Sequence, residues 1–190
     1  QVDGEDTHLF AVTGGELLAG RRDGQAQLIF GQDFKGGYTQ GTNGLYTSQV
    51  RNFNIHYQPK QRALSYSLNR VTEPKSSLYR RRDLNVMTQL DRNVKGKLVQ
   101  EAAALAGVFY NGEGVWTVPV GIDLLTGQPT MPDPNNSATF RQGFNQYTAA
   151  NLGLYSHSED SQTNLIFGGI SAVILDPSGA PYYVNRDNDP

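Results

Sequence analysis

The sequence predicts an all-β protein built of antiparallel sheets, and three observations lead to that prediction. Apolar residues make up only 37% of the chain, which holds 21 glycines and 9 prolines, a balance typical of short strands joined by many turns. Residues 63–68 alternate between larger apolar and small side chains, as a half-exposed strand does. Residues 164–171, Asn-Leu-Ile-Phe-Gly-Gly-Ile-Ser, place residues suited to a buried strand before a pair of glycines.

The composition also limits the kinds of partner and site that the protein can have. The 190 residues suffice for one domain, and the net charge of -2 with 18% charged residues gives no sign of a nucleic-acid partner. There is no cysteine, which excludes disulfides, thiolate metal sites and a cysteine nucleophile. No apolar run approaches the roughly 18 residues of a membrane-spanning helix, so we expect no membrane insertion. Because the chain begins with Gln1, we expect a removed leader or a piece of a longer chain, and a secreted or cell-surface location.

In the first half of the chain, glycines and polar turns separate the predicted strands. The Asp23-Gly24 pair is a hairpin signal between the second and third strands. A long loop with several glycines follows, before a strand that carries Arg51, Phe53, Ile55 and Tyr57 on one face. Strands are therefore predicted at residues 8–13, 16–20, 26–30, 48–57 and 63–68.

In the second half, residues 95–106 have the best helical composition, and a short helix is predicted there. Pro119 favours an edge position for the strand that contains it. Residues 123–136 are rich in Gly, Pro, Asn and Asp and predict an exposed loop. Further strands are predicted at residues 115–120, in the second half of 140–155, and at 164–171, 172–175 and 181–184.

Three segments share one pattern, an apolar strand that runs into a glycine. They are Leu-Ile-Phe-Gly-Gln at 28–32, Leu-Ala-Gly-Val-Phe at 105–109 and Leu-Ile-Phe-Gly-Gly at 165–169, and each precedes a strand with aromatic or β-branched residues. This pattern resembles the kelch repeat. The glycines at 31, 107 and 168 lie 76 and then 61 residues apart, against roughly 50 for a kelch repeat, so loop insertions must make up the difference.

The resemblance implies about three kelch-like β-propeller blades within the single 1–190 unit, at about residues 8–70, 80–125 and 140–184. Propellers typically close with about 4–8 blades, so further blades or other chains would complete the ring. A self-contained β-sandwich is the alternative fold, since 190 residues could also build one.

No catalytic motif stands out in the sequence. The three histidines share no metal-ligand spacing, and no Gly-x-Ser-x-Gly nucleophile elbow is present. We expect no cofactor, although the acidic loop residues at 159–160 and 187–189 leave calcium open as an alternative to plain solvated turns. Any two loop acids could still converge as a glycosidase pair, but no spacing singles out such a pair.

The candidate binding residues lie in the long loop at 33–46, where tyrosines alternate with amides: Tyr38, Gln40, Asn43 and Tyr46. Tyrosine and amide side chains together suit sugars or proteins, although tyrosines also cap strand ends.

The basic cluster at residues 80–83 is a second candidate, through Arg81 and Asp83. It reads either as a solvated turn in which Asp83 pairs with an arginine, or as a ligand-facing arginine set beside the loop.

Three functional hypotheses follow. The first is a non-catalytic module, secreted or on the cell surface, that binds a protein or a glycan through its loops. The second is a carbohydrate-active enzyme on a propeller scaffold, and an acid pair converging in a cleft would favour it. The third is a structural subunit of a larger assembly, which exposed unpaired strand edges at both ends would favour.

Overall fold

The computed structural model describes residues 6–33, 45–105, 107–110, 114–142, 146–168, 173–175, 178 and 181–183. Within them the chain is all-β, as the sequence predicts, and its helical segments are two short 3-10 helices at Thr7–Phe10 and Ser77–Tyr79. The strands are β1 Val12–Thr13, β2 Glu16–Ala19, β3 Gln25–Ile29, β4 Gln32–Asp33, β5 Val50–Gln58, β6 Ala63–Thr72, β7 Asn85–Arg92, β8 Leu98–Leu105, β9 Val108–Tyr110, β10 Gly114–Val115, β11 Val120–Asp123, β12 Pro129–Thr130, β13 Ala150–Ser156, β14 Ser161–Phe167, β15 Val173–Leu175 and β16 Pro181–Tyr183.

Two four-stranded antiparallel sheets form the body of the described structure, and their strands follow the same order. The first sheet runs β2-β3-β5-β6 and the second runs β7-β8-β11-β12, so each strand pairs with the next one within its sheet. A third hairpin, β13–β14, pairs over its full length, and β15 pairs with β16 in a short sheet of its own. The first strands of the three hairpins are neighbours, because β7 contacts both β2 and β13.

A glycine with positive φ ends the second strand of each hairpin. The φ angles are +99° at Gly31, +104° at Gly107 and +92° at Gly168, a region that side chains with a Cβ rarely adopt. These are the three glycines that the repeated sequence pattern aligns. After each of the first two glycines, the chain returns and pairs with the segment that precedes the hairpin. Gln32 pairs with Thr13, and Val108 pairs with Arg82. The sequence pattern therefore corresponds to a recurring corner of the structure.

The core lies between the two four-stranded sheets. It consists of buried apolar side chains from both: Ile29, Phe30, Val50, Leu84, Val86, Ala102, Ala104, Val120, Ile122 and Leu124. Buried amides also join the sheets, because Gln27 Nε2 donates to Asn52 Oδ1 at 2.6 Å and to the carbonyl of Asp123 at 3.2 Å. Asn52 in turn donates to the carbonyl of Thr126. The amide nitrogens of Gln27 and Asn52 thereby have partners inside the core, whereas Gln27 Oε1 is buried with no hydrogen-bond partner among the described residues.

The third hairpin lies against β7 of the second sheet. The amide of Gln162 donates to the carbonyl of Thr88 at 2.9 Å and accepts from the N–H of Leu90 at 2.6 Å, so it pairs with backbone groups of β7. An ideal Cβ on Gly153 would lie 3.1 Å from Asn164 Oδ1 and 3.8 Å from the Thr88 carbonyl, which favours glycine at this contact. The opposite face of the hairpin is exposed.

The structure corrects several local predictions. The helix predicted at residues 95–106 is wrong, because Leu98–Leu105 is strand β8. Its Ala102, Ala103 and Ala104 are at most 2% exposed and pack in the sheet, so tertiary packing overrides their helical preference. The strand predicted at 8–13 is a 3-10 helix followed by two strand residues.

Burial differs from expectation at two further places. Leu165 and Phe167 belong to a strand that was expected to be buried, but they are 37% and 59% exposed, because that face of the hairpin has no described layer over it. The loop predicted at residues 123–136 contains strand β12 and buries Leu124 and Pro129 against the sheets.

Candidate ligand-binding cleft beside Tyr46

A cleft of about 230 Å³ lies where the N-terminal segment, the two ends of the 33–46 loop and the ends of β5 and β6 meet. We call it the Tyr46 cleft. Aromatic, apolar, basic and acidic groups line it together: His8, Leu9, Val12, Asp33, Leu45, Tyr46, Thr47, Gln49, Arg51, Glu73 and Arg80.

Backbone pairing fixes Tyr46 at the edge of the cleft. Residue 46 forms an isolated antiparallel bridge with Gln32, and the Asp33 N–H donates to the Leu45 carbonyl at 2.9 Å. The guanidinium of Arg82 lies over the Tyr46 ring at 5.3 Å from the ring centroid, a cation–π geometry. Both ends of the long loop are therefore anchored to β4, and Tyr46 has a defined position at one of them.

Arg51 lies at the floor of the cleft and is 1% exposed. It donates to the Phe30 carbonyl at 3.1 Å, while its Nη2 lies 3.4 Å from Thr47 Oγ1. Among the described residues its buried Nε has no hydrogen-bond partner, and no carboxylate lies within 4 Å of the guanidinium. Burial lowers the pKa of Arg51 to about 10, against the opposing attraction of Glu73 and Asp33. At neutral pH Arg51 is therefore a buried cation that more distant acids offset only in part.

The remaining charges of the cleft are more accessible. Arg80 and His8 are exposed, Asp33 is half-buried, and Glu73 is exposed and accepts a hydrogen bond from Gln49 Nε2 at 3.0 Å. The cleft thus combines strong donors with strong acceptors around one aromatic ring. Such a surface matches a ligand that carries many hydroxyl groups.

The structure places the sequence-predicted site residues in three different settings. Tyr38, Gln40 and Asn43 lie outside the described residues, and Tyr46 lines the cleft. Arg81 and Asp83 are not among its lining residues, although the neighbouring Arg82 contacts the Tyr46 ring. The structure therefore brings the 33–46 loop and the basic cluster together through Tyr46 and Arg82.

The solvated-turn interpretation of the basic cluster is wrong for two of its arginines. Arg81 is 0% and Arg82 7% exposed. The predicted pairing of Asp83 is confirmed, since Arg82 Nε lies 2.9 Å from Asp83 Oδ2, and the Tyr147 hydroxyl also donates to that oxygen at 2.7 Å.

Arg81 packs in the interior beside Trp116. Its guanidinium lies 4.7 Å from the Trp116 ring centroid, and its Nε donates to the Leu78 carbonyl at 3.4 Å. Burial lowers the pKa of Arg81 to about 9. Because the side chain presents no exposed surface, packing is the role that its surroundings support, and its part in ligand binding stays a prediction.

Sequence reasoning missed Arg51 and Glu73 as members of the cleft. A signal for Arg51 was present, because strand alternation puts this charged residue on one face with Phe53, Ile55 and Tyr57. Glu73 gives no such signal, since it follows β6 and reaches the cleft through the pairing of β6 with β5.

The described residues hold no group of three or more His, Cys, Asp or Glu side chains that could bind a metal ion. Of the two acidic stretches considered for calcium, 187–189 lies outside the described residues. In the other, Asp160 forms an ion pair with Arg92 and accepts from the Tyr155 hydroxyl at 2.9 Å. No helix in the described part of the chain is long and apolar enough to cross a bilayer.

Comparison with models of known protein families finds no match for the chain. Comparison with curated proteins finds no relative either.

Proposed function

We propose that this chain is a propeller-like module, secreted or on the cell surface, that binds a glycan or a protein through the Tyr46 cleft and the 33–46 loop. The observation that carries the proposal is the composition of the cleft: an aromatic ring with a fixed position stands beside two arginines and two carboxylates. A glycan is the better match, because sugar rings offer apolar faces for a tyrosine and hydroxyls for charged hydrogen-bonding groups.

The recurring sheet unit supports the propeller part of the proposal. Both four-stranded sheets pair their strands in chain order, as propeller blades do. Neighbouring units meet through the first strands of their hairpins, and a positive-φ glycine recurs at residues 31, 107 and 168. Kelch-like blades would account for all three features together.

The test is titration calorimetry of the protein with neutral and acidic oligosaccharides of plant and bacterial types, using Tyr46→Ala as the variant. We expect at least about tenfold weaker binding for this variant, because loss of one aromatic contact and its neighbouring hydrogen bonds removes about 1.4 kcal/mol or more.

Tyr57→Ala is the matched control, since Tyr57 is 62% exposed on β5 and does not line the cleft. Equal loss of affinity in both variants, or no binding to any oligosaccharide in the panel, would refute the assignment of the cleft.

A carbohydrate-active enzyme is the second candidate, and one observation favours it: Asp33 and Glu73 line the same cleft. Two facing carboxylates are the usual machinery of glycoside hydrolysis. If the protein is such an enzyme, it releases new reducing ends from a bound oligosaccharide. The variants Asp33→Asn and Glu73→Gln should then each abolish this release while the oligosaccharide still binds. Binding without release in the unmodified protein would leave the non-catalytic module.

A structural subunit is the third candidate, favoured by the outer face of the third hairpin. Alternation along β13 and β14 places four exposed apolar side chains on that face: Leu152, Leu154, Leu165 and Phe167. A further blade or another chain would cover it as neighbouring units cover each other. Native mass at several protein concentrations tests this, because a concentration-independent monomer would exclude closure by a second copy.

A further inference from the structure

The charge arrangement of the Tyr46 cleft narrows the ligand class beyond a generic glycan, and this step rests on the proposed function. Burying a cation is costly unless an anion accompanies it. Arg51 is buried at the cleft floor, its Nε lacks a partner, and its neighbouring acids Asp33 and Glu73 stand more than 4 Å away within the described residues. A ligand anion above this floor would supply the missing counter-charge.

Arg80 provides a direct contact for such an anion. Its side chain is exposed at the cleft, and it is the first residue of the basic cluster at 80–83. An arginine binds a planar carboxylate through two parallel N–H donors, which is stronger and more directional than a neutral hydrogen bond. The buried charge of Arg51 adds attraction that water screens weakly.

The acids of the cleft decide what else the ligand must carry. Asp33 and Glu73 would repel a bare anion but accept hydrogen bonds from hydroxyl groups. The Tyr46 ring adds an apolar surface for a sugar face. A simple carboxylic acid or inorganic phosphate meets one of these three demands, whereas a sugar acid meets all of them.

We infer that the Tyr46 cleft binds an acidic saccharide of the uronic acid type, with its carboxylate at Arg80 above the buried Arg51 and its hydroxyls donated to Asp33 and Glu73. The binding is non-covalent and needs no further reactant. We therefore expect the cleft to bind the acidic saccharide more tightly than a neutral sugar of the same shape.

The experiment is titration calorimetry at neutral pH, and it compares trigalacturonate with its fully methyl-esterified form. That ester has the same rings and hydroxyls, but none of its carboxyl groups is charged. We expect the acid to bind about tenfold or more tightly than the ester, the factor that one charge-assisted hydrogen-bonded contact supplies. Arg80→Gln should remove this preference by weakening the acid alone, while Lys60→Gln should keep it. Lys60 is an exposed cation in the turn between β5 and β6, nine residues along the chain from Arg51.

The outcomes separate the two levels of the proposal. Equal affinity for the acid and its ester would overturn the inference and leave a cleft for neutral glycans. No binding of either probe, or of the neutral panel, would overturn the proposed function as well. Preserved acid preference in Arg80→Gln would also overturn the inference, and because Arg80 is exposed this variant should fold as the unmodified protein does.

Discussion

Replacing Gly31 by alanine should destabilise the protein strongly, because two separate penalties meet at this residue. Its φ of +99° is unfavourable for any residue with a Cβ, at about 1–2 kcal/mol. An ideal Cβ there would lie 3.0 Å from both the Gly15 nitrogen and the Thr13 carbonyl oxygen. These are backbone atoms held by the pairing around β1 and β4, so they cannot move aside as a flexible side chain would.

Two other glycines provide a graded comparison. Gly96 has a φ of +73° with no described heavy atom within 4 Å of its Cβ position, so Gly96→Ala meets the conformational penalty alone. Gly107 has a φ of +104°, and its Cβ would lie 3.2 Å from Arg81 Cβ and 3.3 Å from the Arg82 carbonyl oxygen. The expected order of destabilisation is Gly31 first, Gly107 second and Gly96 last.

The magnitudes follow from the two penalties and one offset. Alanine lowers the entropy of the unfolded chain, which offsets about 0.4–1 kcal/mol of the conformational penalty, so Gly96→Ala should lose about 0–1.6 kcal/mol. Overpacking against atoms that cannot yield adds about 1–3 kcal/mol, which brings Gly31→Ala to about 1–4.6 kcal/mol. For a domain of this size each kcal/mol corresponds to about 2–4 °C in Tm.

The assay is urea unfolding followed by the fluorescence of Trp116, the one tryptophan of the chain and a buried one. The three alanine variants are compared by their transition midpoints at equal slope. If Gly31→Ala and Gly96→Ala lose the same stability, the close backbone approach at the corner after β3 is wrong. A preserved order would support the recurring corner in the first two units.

Further predictions concern burial and pH. Ile122→Ala should cost about 2–5 kcal/mol in urea unfolding because Ile122 is fully buried, whereas Phe167→Ala, at a 59% exposed site, should cost less than about 1 kcal/mol. A comparable loss in Phe167→Ala would mean that the outer face of the third hairpin is covered in solution. Asp123 should also give the protein a dependence on acid: burial works to raise the pKa of its carboxyl, but hydrogen bonds from Thr126 and Leu125 bring it below the ordinary 3.8. Since the pKa of Asp123 is depressed in the folded protein, its contribution to the free energy of unfolding is complete above pH 3.8 and is lost as the pH falls through the lower folded pKa. In urea unfolding at a series of acidic pH values, Asp123→Asn should lack this part of the pH dependence.

Local signals with a single structural meaning were readable in the sequence. The Asp23-Gly24 pair predicts the β2–β3 hairpin, and the structure has it. The repeated glycine pattern at 31, 107 and 168 marks three strand ends at which φ is positive. These signals depend on backbone sterics, which act within a few residues, so no knowledge of distant partners is needed.

Signals that depend on distant partners were misread. The alanine run at 102–104 has a helical composition, yet its small side chains serve the close packing of β8 between β7 and β11. Leu165 and Phe167 have the composition of a buried strand, but burial is a property of what covers a face. Neither outcome is encoded in the segment itself, so tertiary context decides both.

The basic cluster shows how the same limit applies to the candidate site. Three consecutive arginines suggest one solvated surface, but in an extended chain successive side chains point in opposite directions. Arg80 therefore reaches the Tyr46 cleft, Arg81 packs on Trp116 in the interior, and Arg82 lies over the Tyr46 ring while pairing with Asp83. Alternation thus accounts for the opposite placement of Arg81 and its two neighbours. Arg51 lies beneath the same cleft, in a strand whose residues 50–53 are all buried, and there it would help to make the cleft selective for an anion.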